Sequence, residues 1–226
     1  MTPNFAHSLV RAGLAGWLAV HSAFHVQAAP RSPALPENLA AKAAIRANSE
    51  YSREYLARFV ADGHVPEAQG GQDLNRAWCV QGNTHRQGAE VVFEWPTPVT
   101  VAEVVYYGRT AWFLDECWKN YEVRTGGSDQ PVAQGAFEMR HGPQRIALAQ
   151  PVATRQLTLR FTSSFGGFNP GASEILVLAA RASDQALLRL AQPNTPLLDE
   201  VAPDGLDRLI RQLQRAHGPR YPQAET

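Results

Sequence analysis

Two stretches of this chain concentrate aromatic rings beside polar donors. Arg109-Thr110-Ala111-Trp112-Phe113-Leu114 leads into Cys117-Trp118-Lys119-Asn120, and Phe165-Gly166-Gly167-Phe168-Asn169 follows near the end of the strand-rich region. A ring face stacks on apolar C–H patches, and Arg or Asn side chains hydrogen-bond a rim of hydroxyls, which is the chemistry of sugar recognition. Arg109, Trp112, Phe113, Trp118, Asn120, Phe165, Phe168 and Asn169 are therefore the candidate ligand residues. Each has a packing alternative. Trp112 and Trp118 flank Cys117 and can cover it, Phe165 and Phe168 can plug the end of a sandwich, and Arg109 can serve an ion pair.

Catalytic signatures are missing from the sequence: it has no Gly-x-Ser-x-Gly elbow, no His-Glu-x-x-His and no phosphate-binding glycine loop. Asp115 and Glu116 are adjacent, which on a strand sends them to opposite faces and does not suit a glycosidase pair. The expectation is a binding protein and not an enzyme. With 21 basic and 21 acidic residues and no Lys/Arg cluster, nucleic acid is excluded as a partner.

The amino terminus reads as an export signal over residues 1–28. Arg11 supplies the positive region, Ala12 to Phe24 is mostly apolar, and Val26-Gln27-Ala28 has the small residues a signal peptidase needs. The apolar run is shorter than the roughly 20 residues that span a bilayer, so a secreted or periplasmic chain without a membrane span is expected. In an oxidising compartment Cys79 and Cys117 are expected to form a disulfide; the alternative is two buried free cysteines packed as small hydrophobes.

The elements that must position these residues are short strands. Residues 29–37, with Pro30, Pro33 and Pro36, form a linker. Residues 38–180 form the domain, with strands expected at Ala43–Ala47, Ala77–Gln81, Ala89–Trp95, Val99–Arg109, Tyr121–Thr125, Val132–Phe137, Arg145–Leu148, Gln156–Thr162 and Ile175–Ala179. Val91, Phe93 and Trp95 share one face, as do Leu157, Leu159 and Phe161. A helical turn is expected over Arg53–Val60, and Pro96 and Pro98 should stop their strand. Many short strands without a long crossover helix indicate an all-β, antiparallel jelly-roll β-sandwich. Residues 181–226 form a short helical extension: Ser183 caps a helix through Leu190, and Asp204–His217 carries Leu206, Leu209, Ile210 and Leu213 at helical spacing. That last stripe is a candidate surface for a protein partner.

An early Asp62-Gly63, a late Ser173-Glu174-Ile175 and alternating strands between them resemble the discoidin or coagulation-factor type C domain over about residues 36–180. The resemblance extends to galactose-binding-like relatives such as the family 32 carbohydrate-binding modules, which implies a glycan or cell-surface polymer as ligand. It also implies a structural calcium, with side chains from Asp62 and Glu174 and carbonyls from Phe59, His64 and Ala172. The sequence departs from the family's pattern at Arg76-Ala77-Trp78, where a hydroxyl residue is common, and over residues 67–75, which look inserted. The Arg76 guanidinium is the alternative partner for Asp62 or Glu174.

Overall fold

The structure is a computed structural model and describes residues 34–66, 72–110, 113–126 and 128–191. The signal, the Asp204–His217 segment and Trp112 lie outside the described residues. Ten strands follow in order: β1 (Ala44–Ala47), β2 (Trp78–Cys79), β3 (Ala89–Val101), β4 (Glu103–Tyr107), β5 (Trp118–Thr125), β6 (Ala133–Ala136), β7 (Pro143–Ile146), β8 (Val152–Ser164), β9 (Gly171–Ala172) and β10 (Glu174–Leu178). A single helical turn, α1 (Gly82–His85), precedes β3, and α2 (Asp184–Ala191) follows β10.

The strands form a five-stranded sheet, β1-β3-β8-β5-β6, facing a three-stranded sheet, β10-β4-β7, with the two-stranded β2-β9 beside them. Every pairing between these strands is antiparallel, giving the expected sandwich. Alternation fills the space between the sheets. Val91, Phe93 and Trp95 of β3 and Leu157, Leu159 and Phe161 of β8 meet Val104, Tyr106, Ile146, Ile175 and Val177 of the smaller sheet.

Several boundaries differ from expectation, and each difference has a local cause. Pro96 and Pro98 do not end β3; the β3–β8 register shifts between Glu94 and Val99, so prolines without N–H donors fall where the ladder is interrupted. The single strand expected over Val99–Arg109 is divided between two sheets. Ala102 turns the chain from β3 into β4, its N–H donating to Leu178 O at 2.9 Å. The helix expected over Arg53–Val60 is reduced to a 3₁₀ turn, Ala57–Ala61.

The smaller sheet is buried on both faces. All five residues of β4 and all five of β10 are buried, because Val105, Tyr107, Leu176 and Leu178 on the outer face meet Ala182, Leu187 and Ala191. The expected helix after Ser183 is therefore part of the domain's packing. Ser183 Oγ accepts from Ala186 N at 3.1 Å as its cap, and Tyr107 Oη donates to Leu187 O at 2.8 Å. Arg145 ties the helix start to the sheet by pairing with both Asp184 and Glu103.

Candidate functional site

The strand ends at Ala47, Tyr107, Trp118 and Ser164 and the starts of β3 and β10 gather several loops at one end of the sandwich. Arg109 is their hub. It is only 6 % exposed; its Nε donates to Asp73 Oδ2 at 2.7 Å, and its Nη1 donates to Glu116 Oε2 and to Asn169 O at 3.2 Å. Burial works against its charge, but the Asp73 hydrogen bond and the surrounding negative charge outweigh burial and raise its pKa.

The network closes on itself. Tyr55 Oη donates to Asp73 Oδ1 at 3.1 Å, Asn169 N donates to Glu116 Oε1 at 3.1 Å, and Gly82 N donates to Asn169 Oδ1 at 3.1 Å. The guanidinium carbon lies 5.1 Å from the Tyr55 ring centroid and 5.6 Å from that of Phe113. Gly82 is required at its position, because an added Cβ would fall 1.8 Å from Phe168 O. Four inter-strand loops are thus tied together around one buried cation.

Among the described residues around this hub, Phe168 at 50 %, Phe113 at 41 %, Tyr51 and Leu74 are exposed apolar side chains, with Tyr51 edge-on to Tyr55 at 6.0 Å. Phe165 is half-buried, and Lys119 Nζ sits 6.0 Å over its ring. Lys119 and Asn120 are exposed at an irregular stretch of β5, where the register with β8 shifts. The arrangement offers ring faces beside the Lys119 ammonium and the Asn120 amide as donors, which suits a ligand with both apolar and hydroxyl surfaces.

Not every candidate belongs to that face. Trp118 is fully buried, stacked on Phe161 at 4.8 Å and on Trp78 at 6.0 Å, because β5 begins at Trp118 and not at Tyr121. It is a core residue. Asn169 is occupied with Gly82 and Glu116, and Arg109 is saturated by carboxylates, so both position the face and do not project from it. Sequence reasoning missed Tyr51, Asp73 and Glu116. In the sequence Glu116 stands out only as half of an adjacent carboxylate pair, and nothing local links Asp73 to a residue 36 positions away.

The expected disulfide is corrected: Cys79 and Cys117 are both buried free thiols. Gly171 separates them, pairing with Cys79 in the β2–β9 ladder and bridging to Cys117 as well. With strands spaced about 4.8 Å apart, two spacings exceed the roughly 7 Å that a disulfide spans between Cα atoms. Burial pushes the Cys79 thiol up to about 12 and raises Cys117 too, so neither is a thiolate near neutral pH.

Glu174 and Asp62 do lie near each other. Glu174 is fully buried; Gly63 N donates to its Oε2 at 3.1 Å and Asn38 Nδ2 to its Oε1 at 3.4 Å. Burial, with the Asp62 charge adding to it, pushes its pKa up to about 9. Asp62 Oδ1 accepts from His64 N at 2.9 Å. Arg76 is exposed and forms no close ion pair with either carboxylate among the described residues, although its charge acts on Asp62. Two adjoining carboxyls, one of them fully buried and without a basic partner, suit a proton or a hard cation. Among the described residues no group of three or more His, Cys, Asp or Glu side chains is placed to hold a metal, so further oxygens would have to be carbonyls.

No curated protein matches the sequence. Among solved structures, the chain is similar to the family 32 carbohydrate-binding module of NanJ from Clostridium perfringens, solved in complex with galactose. The two share 14 % identity at a TM-score of 0.51, over 63 % of this chain and 98 % of that one. A second Clostridium perfringens family 32 module, solved with GalNAc-β-1,3-galactose, is 17 % identical at a TM-score of 0.51, over 63 % and 99 % of the two chains. A fucose-binding module from Streptococcus pneumoniae is 12 % identical at a TM-score of 0.50, over 64 % and 99 %. These likenesses agree with the sandwich described above. The F5/8 type C domain matches residues 44–174, more than half of the sequence, and with the strands and the Asp62-Gly63 and Glu174 ends in place the chain belongs to the F5/8 type C domain family.

Proposed function

We propose that this chain is an exported, non-catalytic module that binds a glycan through the loop end of its sandwich. The observation that carries the reading is the Arg109 hub: a buried cation clamps the loops so that Phe113, Phe168 and Tyr51 are presented as exposed rings on a fixed base. Rings held in place offer an apolar face with little side-chain freedom to lose on binding, and a sugar's C–H face stacks on such a surface. The galactose and GalNAc-β-1,3-galactose complexes of two similar modules, and the fucose-binding module, support the ligand class. Export rests on the residue 1–28 pattern, and among the described residues no helix is long and apolar enough to cross a membrane.

A structural calcium belongs to the same proposal. Asp62 and Glu174, with carbonyls of Phe59, His64 and Ala172, are the oxygens that would hold it, and its charge would neutralise the buried carboxylate. The deciding experiment is a glycan array with the mature protein, run in calcium and in chelator. Retention on galactose-, GalNAc- or fucose-terminated glycans that is lost in Phe168→Ala supports the reading. No retention of a folded protein on any glycan ends it.

A further inference from the structure

The charges at the loop end are distributed unevenly between inside and outside. Its carboxylates are largely engaged: Asp73 and Glu116 by Arg109, Glu54 by Arg53 and Ser52, Glu138 by Arg140, Asp62 by His64, and Glu50 by Ala57 N. Lys119 and Arg86 are exposed and form no ion pair among the described residues. Register places them on opposite flanks of the same loop. β8 lies between β3 and β5; Ala89, just after Arg86, pairs with Phe161 of β8, and Trp118, just before Lys119, pairs with Ser164 of β8. The chain leaving β8 is the Phe165–Asn169 loop, so it runs out between the two segments that carry these cations. The register shift at Trp118 and Asn120 leaves Lys119 out of the ladder, with its ammonium over the Phe165 ring.

Resting on the glycan reading above, we propose that the ligand is an anionic glycan whose carboxylate or sulfate groups are taken by Lys119 and Arg86 while a sugar ring stacks on Phe168. Free cations beside a stacking platform discriminate by charge, because their hydrogen bonds to a carboxylate or sulfate are stronger than those to a neutral sugar's hydroxyls. Asp115, whose backbone carbonyl accepts from Gly167 N at 2.9 Å, is exposed at this rim and forms no ion pair among the described residues, so its carboxylate opposes the same ligand.

The test compares matched pairs of probes by isothermal titration: oligogalacturonate against its methyl ester, and dextran sulfate against dextran. The acidic member of one pair binds about tenfold or more tightly than its neutral counterpart, and the preference shrinks as salt is raised. Which pair shows it distinguishes a uronate from a sulfate ligand. Lys119→Gln removes most of the preference, Asp115→Asn enlarges it, and Arg155→Gln, an exposed change towards the far end of β8, leaves it unchanged. Equal affinity for acidic and neutral members, or a loss in Arg155→Gln as large as in Lys119→Gln, overturns the anionic ligand. If neutral glycans bind without any acidic preference, the glycan reading stands and this inference alone falls; if a folded protein binds neither class, both fall.

Discussion

Arg109 and Asp73 are joined by a 2.7 Å hydrogen bond although 36 residues separate them, and both side chains are almost completely shielded from water. Such a pair contributes less through attraction than it would cost to break, since removing one partner strands a charge in a dry site.

Arg109→Ala is therefore expected to destabilise the domain by about 3–5 kcal/mol, and Arg109→Lys to recover only part of it because Lys cannot serve Asp73, Glu116 and Asn169 O with a planar fork. Urea unfolding reads both. An Arg109→Ala protein as stable as wild type, but unable to bind, would instead make the residue a ligand contact.

Phe113→Ala and Phe168→Ala should each leave stability within about 0.5 kcal/mol, being exposed surface substitutions, while sharply reducing retention on a bound glycan. Trp118→Ala should cost about 3–5 kcal/mol because it empties a site stacked between Phe161 and Trp78. Thermal melts beside affinity electrophoresis separate the two effects.

The thiols should resist reagents until the protein unfolds. In native buffer Cys79 and Cys117 are expected to react slowly with a thiol reagent, and in denaturant both should titrate, including in protein purified without reductant. A melting temperature that drops on adding reductant would show that a cross-link exists.

Glu174 makes stability depend on pH and on calcium. In chelator the folded state holds its proton up to about pH 9, whereas the unfolded chain releases it near pH 4.3. Across that window the folded state binds more protons, so stability is greatest below the unfolded pKa and falls as pH rises, by up to about 1.4 kcal/mol per pH unit. Glu174→Gln should flatten this slope. Calcium should raise the melting temperature of wild type at pH 8 and leave Asp62→Ala unchanged, because a ligand of the folded state stabilises it by mass action. Identical melting curves in calcium and chelator would leave the proton as the occupant.

Leu187→Ala should destabilise by about 2–5 kcal/mol, since it uncovers the outer face of β4 and β10. Truncation before Ser183 is expected to give a protein that aggregates, with Val105, Tyr107, Leu176 and Leu178 exposed. Light scattering of the truncated chain checks this.

The sequence by itself determined which residues face inward where the strands alternate cleanly, because side chains alternate with a period of two and only one parity of residues 89–95 of β3 and 157–161 of β8 is continuously apolar. It also determined the Ser183 cap, whose partner lies three residues on, and the order of Asp62-Gly63 and Glu174 that marks the family. Strand ends were less legible. Trp118 joined the core only because β5 pairs with β8 from three residues before the point where local periodicity begins, and β3 ran past Pro96 and Pro98 because its ladder could shift there. What only the tertiary structure decided is non-local. Gly171 stands between the two cysteines, Asp73 and Glu116 close on Arg109, and Lys119 is turned over Phe165, each through pairings between residues far apart in the chain or through a register shift. Local propensity carries no information about which distant loop arrives beside a given side chain; that follows from the order in which strands pair, and it is there that the candidate face is made.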